Sequence, residues 1–185
     1  MKNSAKHSSY SAKQLTQIGL MTAIICIVGP FSIPLPFSPV PLSFTTLAIY
    51  LAVFVLGMKH GTCSCFLYLL LGTIGLPVFS GFSGGLSRLA GPTGGYLIGF
   101  LLLALIMGFF LEHFPKNFPL VVTGILLGTA VCYLFGTLWL ANQVNLHLTT
   151  ALAIGVLPYL PGDAIKIILA IILGPKLQKN VNALS

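Results

Sequence analysis

The stretch "LPYLPGDAIKIILAIILG", residues 157–174, combines a long apolar run with an acid and a base near its start. A predominantly apolar run of about 18 residues is long enough for a transmembrane helix and too long for an ordinary strand. Asp163 and Lys166 lie in its first turns, and the chain has only one other carboxylate, Glu112. The stretch therefore predicts a membrane helix with a polar feature set into an apolar wall.

The composition of the whole chain extends this prediction. Of its 185 residues, 56% are hydrophobic and only 6% are charged, which is typical of a membrane protein and excludes an ordinary soluble domain. The length accommodates about six crossings of roughly 20 residues each. We therefore predict an all-α membrane protein, a single integral membrane domain over 1–185 with a polar tail at 1–14. The six predicted transmembrane helices are 15–32, 42–58, 61–80, 94–112, 119–140 and 152–174.

The distribution of basic residues predicts the orientation of these helices. Lysine and arginine near short loops stay on the cytoplasmic side. A cytoplasmic N-terminus also puts the C-terminus inside, and only Arg88 among the loop residues is then left on the outer face. The lysines placed inside are Lys2, Lys6, Lys13, Lys59, Lys116, Lys176 and Lys179.

Arg88 lies in a glycine-rich loop, 80–92, that we interpret as an outer lid. Glycines give this loop torsional freedom and permit close backbone approach, while the guanidinium could bind a ligand carboxylate through two hydrogen bonds. The alternative is an ordinary surface arginine that bonds a lipid phosphate or a loop carbonyl. We predict a ligand-binding role for Arg88.

Asp163 and Lys166 are three residues apart, which places them on one face of a helix with Cβ atoms about 5–6 Å apart. A charge in hydrocarbon costs roughly 2.5–3.5 kcal/mol on insertion scales, so the pair should face the bundle interior. One interpretation is a structural ion pair that pins the helix. The other is a ligand site, in which free backbone N–H groups in the turn "PYLPGD" assist the two side chains.

Several functional classes are excluded by what the sequence lacks. The formal charge of +7 is not gathered into basic clusters interleaved with aromatics, which excludes a nucleic-acid surface. The glycine-dense segment 83–96 lacks the GxxxxGK[ST] pattern of a nucleotide site, and the four cysteines lack zinc-ligand spacing. Neither an HExxH motif nor a carboxylate pair supports an enzyme, and we predict neither a metal nor a cofactor.

Three segments together resemble the BioY family, the biotin-binding S component of energy-coupling factor (ECF) transporters. They are "PVPLSFTTLAIYLAVFVLG", "GLPVFSGFSGGLSRLAGPTGGYLIGF" at 75–100 and "LPGDAIKIILA". The resemblance implies a six-helix S-component fold in the cell membrane and capture of biotin from outside. It also implies assembly with a transmembrane coupling subunit and two cytoplasmic ATPase subunits.

The same resemblance implies a set of site residues. Asp163 and Lys166 would contact the ureido head of biotin, and Tyr96 with the lid would line the rest of the pocket. Arg88 is the candidate for the biotin carboxylate because of its charge. Thr45 stands in a second-helix segment where many relatives have Gln, so it is the candidate polar residue there.

Docking to the coupling subunit is implied for the first helix, through Gly19 and Ala23. S components generally dock through small residues on this helix, and small residues permit close approach of two helices. Gly19 with Ala23 is the nearest equivalent of that pattern in this chain.

A stand-alone secondary transporter of a small carboxylate vitamin is the alternative function. In that case Asp163 would carry a proton, and uptake would collapse with an uncoupler at constant ATP. An S component instead needs partner ATPases for uptake.

Overall fold

The computed structural model of the chain describes residues 11–183, without the side chain of Asn182. The first ten residues of the predicted tail, with Lys2 and Lys6, lie outside the described residues. The elements in chain order are α1 Ala12–Val28, β1 Ser32–Ile33, β2 Leu42–Ser43, α2 Thr45–Thr73, α3 Leu86–Ala90, α4 Gly94–His113, α5 Phe118–Val144, α6 Leu148–Gly155 and α7 Leu160–Ala183.

The prediction of a mainly helical, membrane-type chain is confirmed. Within residues 11–183, α2, α4 and α5 are each long and apolar enough to cross a membrane. Helices α6 and α7 pass the same test as one pair bent by 52°, whereas α1 is apolar but shorter, at 17 residues. Length and composition therefore support three to four crossings, and six crossings stay a prediction.

Helix α2 contains a sharp reversal at Gly57. Its φ of 76° is left-handed, which glycine adopts without the steric cost that a Cβ imposes. A Cβ on Gly61 would lie 2.8 Å from the Cα of Val53, although positions eight apart in a straight helix are separated by about 12 Å. The two halves of α2 thus fold back on each other as a hairpin, and the turn at Gly57 lies inside the predicted helix 42–58 instead of between it and the predicted helix 61–80.

Glycines bring α4 and α5 close together. Gly95 and Gly99 on α4 lie against Trp139 and Cys132 of α5, and a Cβ on Gly99 would lie 2.9 Å from the Cys132 sulfur. Glycines also recur every fourth or eighth residue on α5, at Gly124, Gly128 and Gly136, and each lies against α4. Small residues at this spacing let two membrane helices approach closely and gain van der Waals contact.

The structure adds three details to the predicted architecture. The connector before α2 is not merely irregular, because Ser32 pairs with Ser43 and Ile33 with Leu42 in a two-stranded antiparallel ribbon, so the chain is not strictly all-α. The glycine-rich loop 80–92 contains the short helix α3. The last helix continues to Ala183 instead of ending at 174, with Pro175 inside it.

The connections 29–44, 74–93 and 145–159 meet at one end of the bundle, which we call the Arg88 end. The Gly81 N–H donates to the Pro30 carbonyl at 2.9 Å, and the Tyr159 hydroxyl donates to the Val40 carbonyl. The hairpin turn of α2 lies at the opposite end, where the Met58 N–H donates to the Glu112 carboxylate at 2.8 Å. The candidate site lies beneath the three connections.

Candidate functional site

Asp163 and Lys166 form a buried ion pair at the start of α7. The Lys166 ammonium lies 2.7 Å from Asp163 Oδ1, and the two residues are only 6% and 5% exposed. It is the sole ion pair among residues 11–183. The sequence-based prediction that these residues share one inward face agrees with this geometry.

Each member of the pair has a further partner from another element. The Tyr133 hydroxyl of α5 donates to Asp163 Oδ2, and Lys166 donates to the Ser43 carbonyl at the end of β2. The expected free backbone N–H at Asp163 is absent, because that group donates to the Tyr159 carbonyl at 2.8 Å. The helical hydrogen-bond pattern therefore already reaches Asp163.

The pair borders a cavity with about 470 Å³ of space that protein atoms do not fill, part of it open to solvent. The walls are mostly apolar, with several polar groups besides Asp163 and Lys166. Among them is Thr46, whose buried hydroxyl has no hydrogen-bond partner among the described residues. An unsatisfied buried hydroxyl is uncommon and suits a site that awaits a polar ligand group. The lining residues are Val40, Pro41, Ser43, Thr46, Tyr96, Phe100, Leu103, Thr129, Cys132, Tyr133, Gly155, Tyr159, Asp163 and Lys166.

A second cavity of about 450 Å³ adjoins the first and contains Arg88. Tyr96 and Phe100 line both cavities, together with Val40, Pro41 and Ser43. The Tyr96 hydroxyl donates to the Gly155 carbonyl at 2.9 Å, which ties α4 to α6 beside the cavity. The structure thus brings Asp163, Lys166 and Tyr96 together and places Arg88 in the adjoining chamber.

Thr45, the predicted polar residue of the second helix, does not line either cavity, whereas its neighbour Thr46 lines the first. Thr45 is 1% exposed, and its hydroxyl lies 2.5 Å from the Ser43 hydroxyl and 3.4 Å from the Gly29 carbonyl. Adjacent positions on a helix point about 100° apart at 3.6 residues per turn. The side chain that α2 presents to the cavity is therefore Thr46.

The sequence analysis missed two tyrosines of the site, Tyr133 and Tyr159. Tyr133 donates a hydrogen bond to Asp163 directly, while Tyr159 lies just before α7 with its hydroxyl 2.8 Å from the Ser38 hydroxyl. The signal available for Tyr133 was its spacing of four from Thr129, which puts two hydroxyl groups on one face of an apolar helix.

Gly19 and Ala23 both lie on the exposed face of α1. A Cβ on Gly19 would meet no atom within 4 Å, and the neighbouring Leu20 and Ile27 are 58% and 66% exposed. This face is free to contact lipid or another protein.

Comparison with known proteins connects this arrangement to one family. The BioY family model matches residues 1–183. The biotin transporter BioY of Thermotoga maritima is 36% identical over 167 residues, covering 90% of this chain and 96% of that protein. The biotin transporter BioY of Lactococcus lactis subsp. cremoris is 37% identical over 178 residues, covering 93% and 94%.

A solved structure has the same fold. The crystal structure of the S-component for biotin from an ECF-type ABC transporter superposes with a TM-score of 0.85 at 36% identity, covering 92% of this chain and 95% of that one. These relatives are transporters, so the prediction that the chain is not an enzyme is confirmed at the level of its family. The chain belongs to the BioY family.

Proposed function

We propose that this chain is the substrate-binding S component of a biotin transporter, which captures biotin outside the cell and delivers it inward with an ECF energising module. The observation that carries the proposal is the buried Asp163–Lys166 pair at the edge of an apolar cavity. The ureido head of biotin offers two N–H donors and one carbonyl acceptor. Asp163 can accept from the donors, and the Lys166 ammonium can donate to the carbonyl.

The remaining cavity suits the other parts of the ligand. Tyr96, Phe100 and Leu103 offer apolar surface to the sulfur-containing ring. The adjoining chamber contains Arg88, whose guanidinium can bind the carboxylate of the valerate tail. Biotin would therefore lie with its ureido head at α7 and its tail toward the glycine-rich loop.

Six crossings with both termini in the cytoplasm fit the way the chain is arranged. The hairpin in α2 makes two antiparallel segments of one apparent helix, and the bent α6–α7 pair contributes another segment. The connections alternate between the Arg88 end and the Glu112 end. With the basic residues counted as cytoplasmic, the Arg88 end and the lid over 80–92 face outward in the cell membrane.

Energy for inward delivery would come from partners. The structural neighbour is the S-component of an ECF-type ABC transporter, and this chain carries no nucleotide-binding motif in its sequence. A transmembrane coupling subunit and two ATPase subunits would complete the complex. The exposed face of α1, with Gly19 and Ala23, is the docking surface that we propose for the coupling subunit.

Titration of the purified chain with biotin tests the proposal. We expect tight one-to-one binding by calorimetry in detergent, without added nucleotide or proton gradient, because both charges are already buried at the cavity. Reconstituted uptake should then require the ATPases. Uptake by this chain alone that stops with an uncoupler at constant ATP would instead support Asp163 as a proton carrier.

Arg88 can be tested by comparing biotin with its methyl ester. A hydrogen bond to a charged group contributes about 1.5–3 kcal/mol, so Arg88→Ala should weaken biotin binding about 10- to 100-fold. The same variant should bind the ester as well as the unaltered chain does, because the ester carries no charge for Arg88 to pair with. Equal losses for both ligands would show that Arg88 does not bind the carboxylate.

A further inference from the structure

A groove between α5 and α7 approaches the substrate cavity from the side of the bundle. It contains about 900 Å³ of unfilled space, including its open mouth. Helix α5 packs on α4 and α6, and α7 packs on α2, but α5 and α7 do not pack closely on each other. The groove is therefore a gap in the helical wall. Its aliphatic lining residues are Val122, Leu126, Ala130, Leu160, Ala164, Ile167, Ile168 and Ile171.

Only a thin barrier separates this groove from the substrate cavity. Thr129, Tyr133 and Asp163 line both spaces. The hydrogen bond from the Tyr133 hydroxyl to Asp163 joins α5 to α7 across the gap. Cys132, one residue before Tyr133, lines the cavity but not the groove, so it marks the inner side of the barrier.

The chemistry of the groove identifies what fills it. Apart from Asp163 at its inner end, no lining residue is charged, and Leu126 and Ile168 are 52% and 56% exposed. A membrane helix presents such aliphatic surface to lipid acyl chains. A lipid acyl chain is therefore the occupant that fits the groove.

We propose that the Tyr133–Asp163 hydrogen bond seals the substrate cavity against the acyl chains in the α5–α7 groove. Tyr133 is then a positioning residue: it closes the gap between the two helices and holds Asp163 toward the cavity. Asp163 Oδ2 is occupied by Tyr133, and Oδ1 pairs with Lys166, so both oxygens have fixed directions before a ligand arrives. The proposal rests on the membrane location within the proposed function but not on the identity of the ligand.

Cys132 supplies a native reporter of the seal. In lipid nanodiscs, the rate of its modification is measured by peptide mass spectrometry with two maleimides, one lipid-soluble and one a membrane-impermeant sulfonate. Tyr133→Phe removes the hydroxyl and keeps the ring, while Tyr133→Ala also removes the ring. Tyr68→Phe is the matched control, because Tyr68 is fully buried on α2 and lines neither space.

We expect Tyr133→Phe to raise the rate at which the lipid-soluble maleimide modifies Cys132 about tenfold. Loss of one charge-assisted hydrogen bond can increase the population of the unsealed state by about this factor. Tyr133→Ala should raise the rate further. The rate with the sulfonate and both rates in Tyr68→Phe should stay unchanged. Adding Ala130→Phe to Tyr133→Phe should restore the slow rate, because the new ring fills the groove.

Two results would overturn the proposal. One is an unchanged rate with the lipid-soluble reagent in both Tyr133 variants. The other is an equal rise with both reagents, which would mean that Cys132 became accessible from water. A biotin titration of the same samples is read separately, so failure of biotin binding would not alter the labelling result.

Discussion

Asp163→Asn should reduce biotin affinity by at least about 30-fold, because removing one partner of a buried charged pair costs about 2–5 kcal/mol. The substitution keeps the shape of the side chain but removes the negative charge of the carboxylate, which accepts hydrogen bonds from Tyr133 and Lys166. Lys166 would then stay buried with only the Ser43 carbonyl as a partner. Lys166→Met should have an effect of similar size, because it leaves Asp163 without its cation.

The double variant Asp163→Asn/Lys166→Met separates a ligand site from a structural ion pair. Replacing both members of a buried pair by neutral groups often leaves stability unchanged or raised. We therefore expect the thermal unfolding midpoint of the double variant to return near that of the unaltered chain, while biotin binding stays lost. Calorimetry and thermal unfolding in detergent measure the two properties on the same samples.

Glu112→Gln is the matched control for this experiment. It neutralises the other carboxylate of the chain, which accepts from the Met58 N–H at the far end of the bundle. Its biotin affinity should be unchanged. Recovery of biotin binding in the double variant would refute the ligand role of the pair and leave the structural ion pair as the explanation.

The pairing of Asp163 with Lys166 could be predicted because it depends only on local geometry. A spacing of three residues fixes a shared helix face, and the cost of a charge in lipid fixes which way that face points. The 2.7 Å contact in the structure agrees with both arguments. The start of α4 at Gly94 was likewise predictable, because the turn residues of "GPTGG" mark it in the sequence.

The partners from other elements could not be predicted, because they depend on how the helices are rotated against each other. Helices α4 and α5 are apolar on every side, so hydrophobic periodicity does not indicate which face is interior. Tyr133 was missed for this reason, and Thr45 was chosen in place of Thr46. The hydroxyl-bearing neighbours Thr45 and Thr46 differ in role only because α2 begins at Thr45 with that residue facing Ser43 and Gly29.

The reversal at Gly57 shows a different limit of sequence reasoning. The predicted helices 42–58 and 61–80 leave Lys59 and His60 as the turn between them. The backbone instead turns two residues earlier, where glycine accepts a φ of 76°. A Cβ at that position would also lie 2.7 Å from a Glu112 carboxylate oxygen, so the turn lies against a side chain of α4 that no local pattern reveals.

Gly136→Leu should strongly destabilise the folded chain. Gly136 faces Tyr96 across the α4–α5 interface, where a Cβ would overlap the tyrosine ring. Overpacking typically costs about 1–3 kcal/mol, and a Leu that displaces a buried ring should reach the upper end of that range. For a chain of this size, 3 kcal/mol corresponds to a fall of about 6–12 °C in the unfolding midpoint.

The consequence for binding follows from the position of Tyr96. Its ring lines both cavities, and its hydroxyl holds the Gly155 carbonyl at 2.9 Å. Displacing the ring would therefore deform the cavity as well as separate α4 from α5. We expect the fraction of Gly136→Leu that remains folded at low temperature to bind biotin at least about tenfold more weakly, a loss of about 1.4 kcal/mol.

Gly19→Leu provides the matched comparison, because it is the same substitution in another helix. A Cβ on Gly19 meets no atom within 4 Å, so the added side chain stays outside the bundle. Its unfolding midpoint and biotin affinity should match those of the unaltered chain, while co-purification with the coupling subunit should fall. Equal destabilisation by both substitutions would show that close approach at the α4–α5 glycines is not what holds these two helices together. A lower unfolding midpoint for Gly136→Leu alone would show that the folded chain needs close packing at the Gly136–Tyr96 contact. A parallel fall in biotin affinity would show that the same contact shapes the substrate cavity.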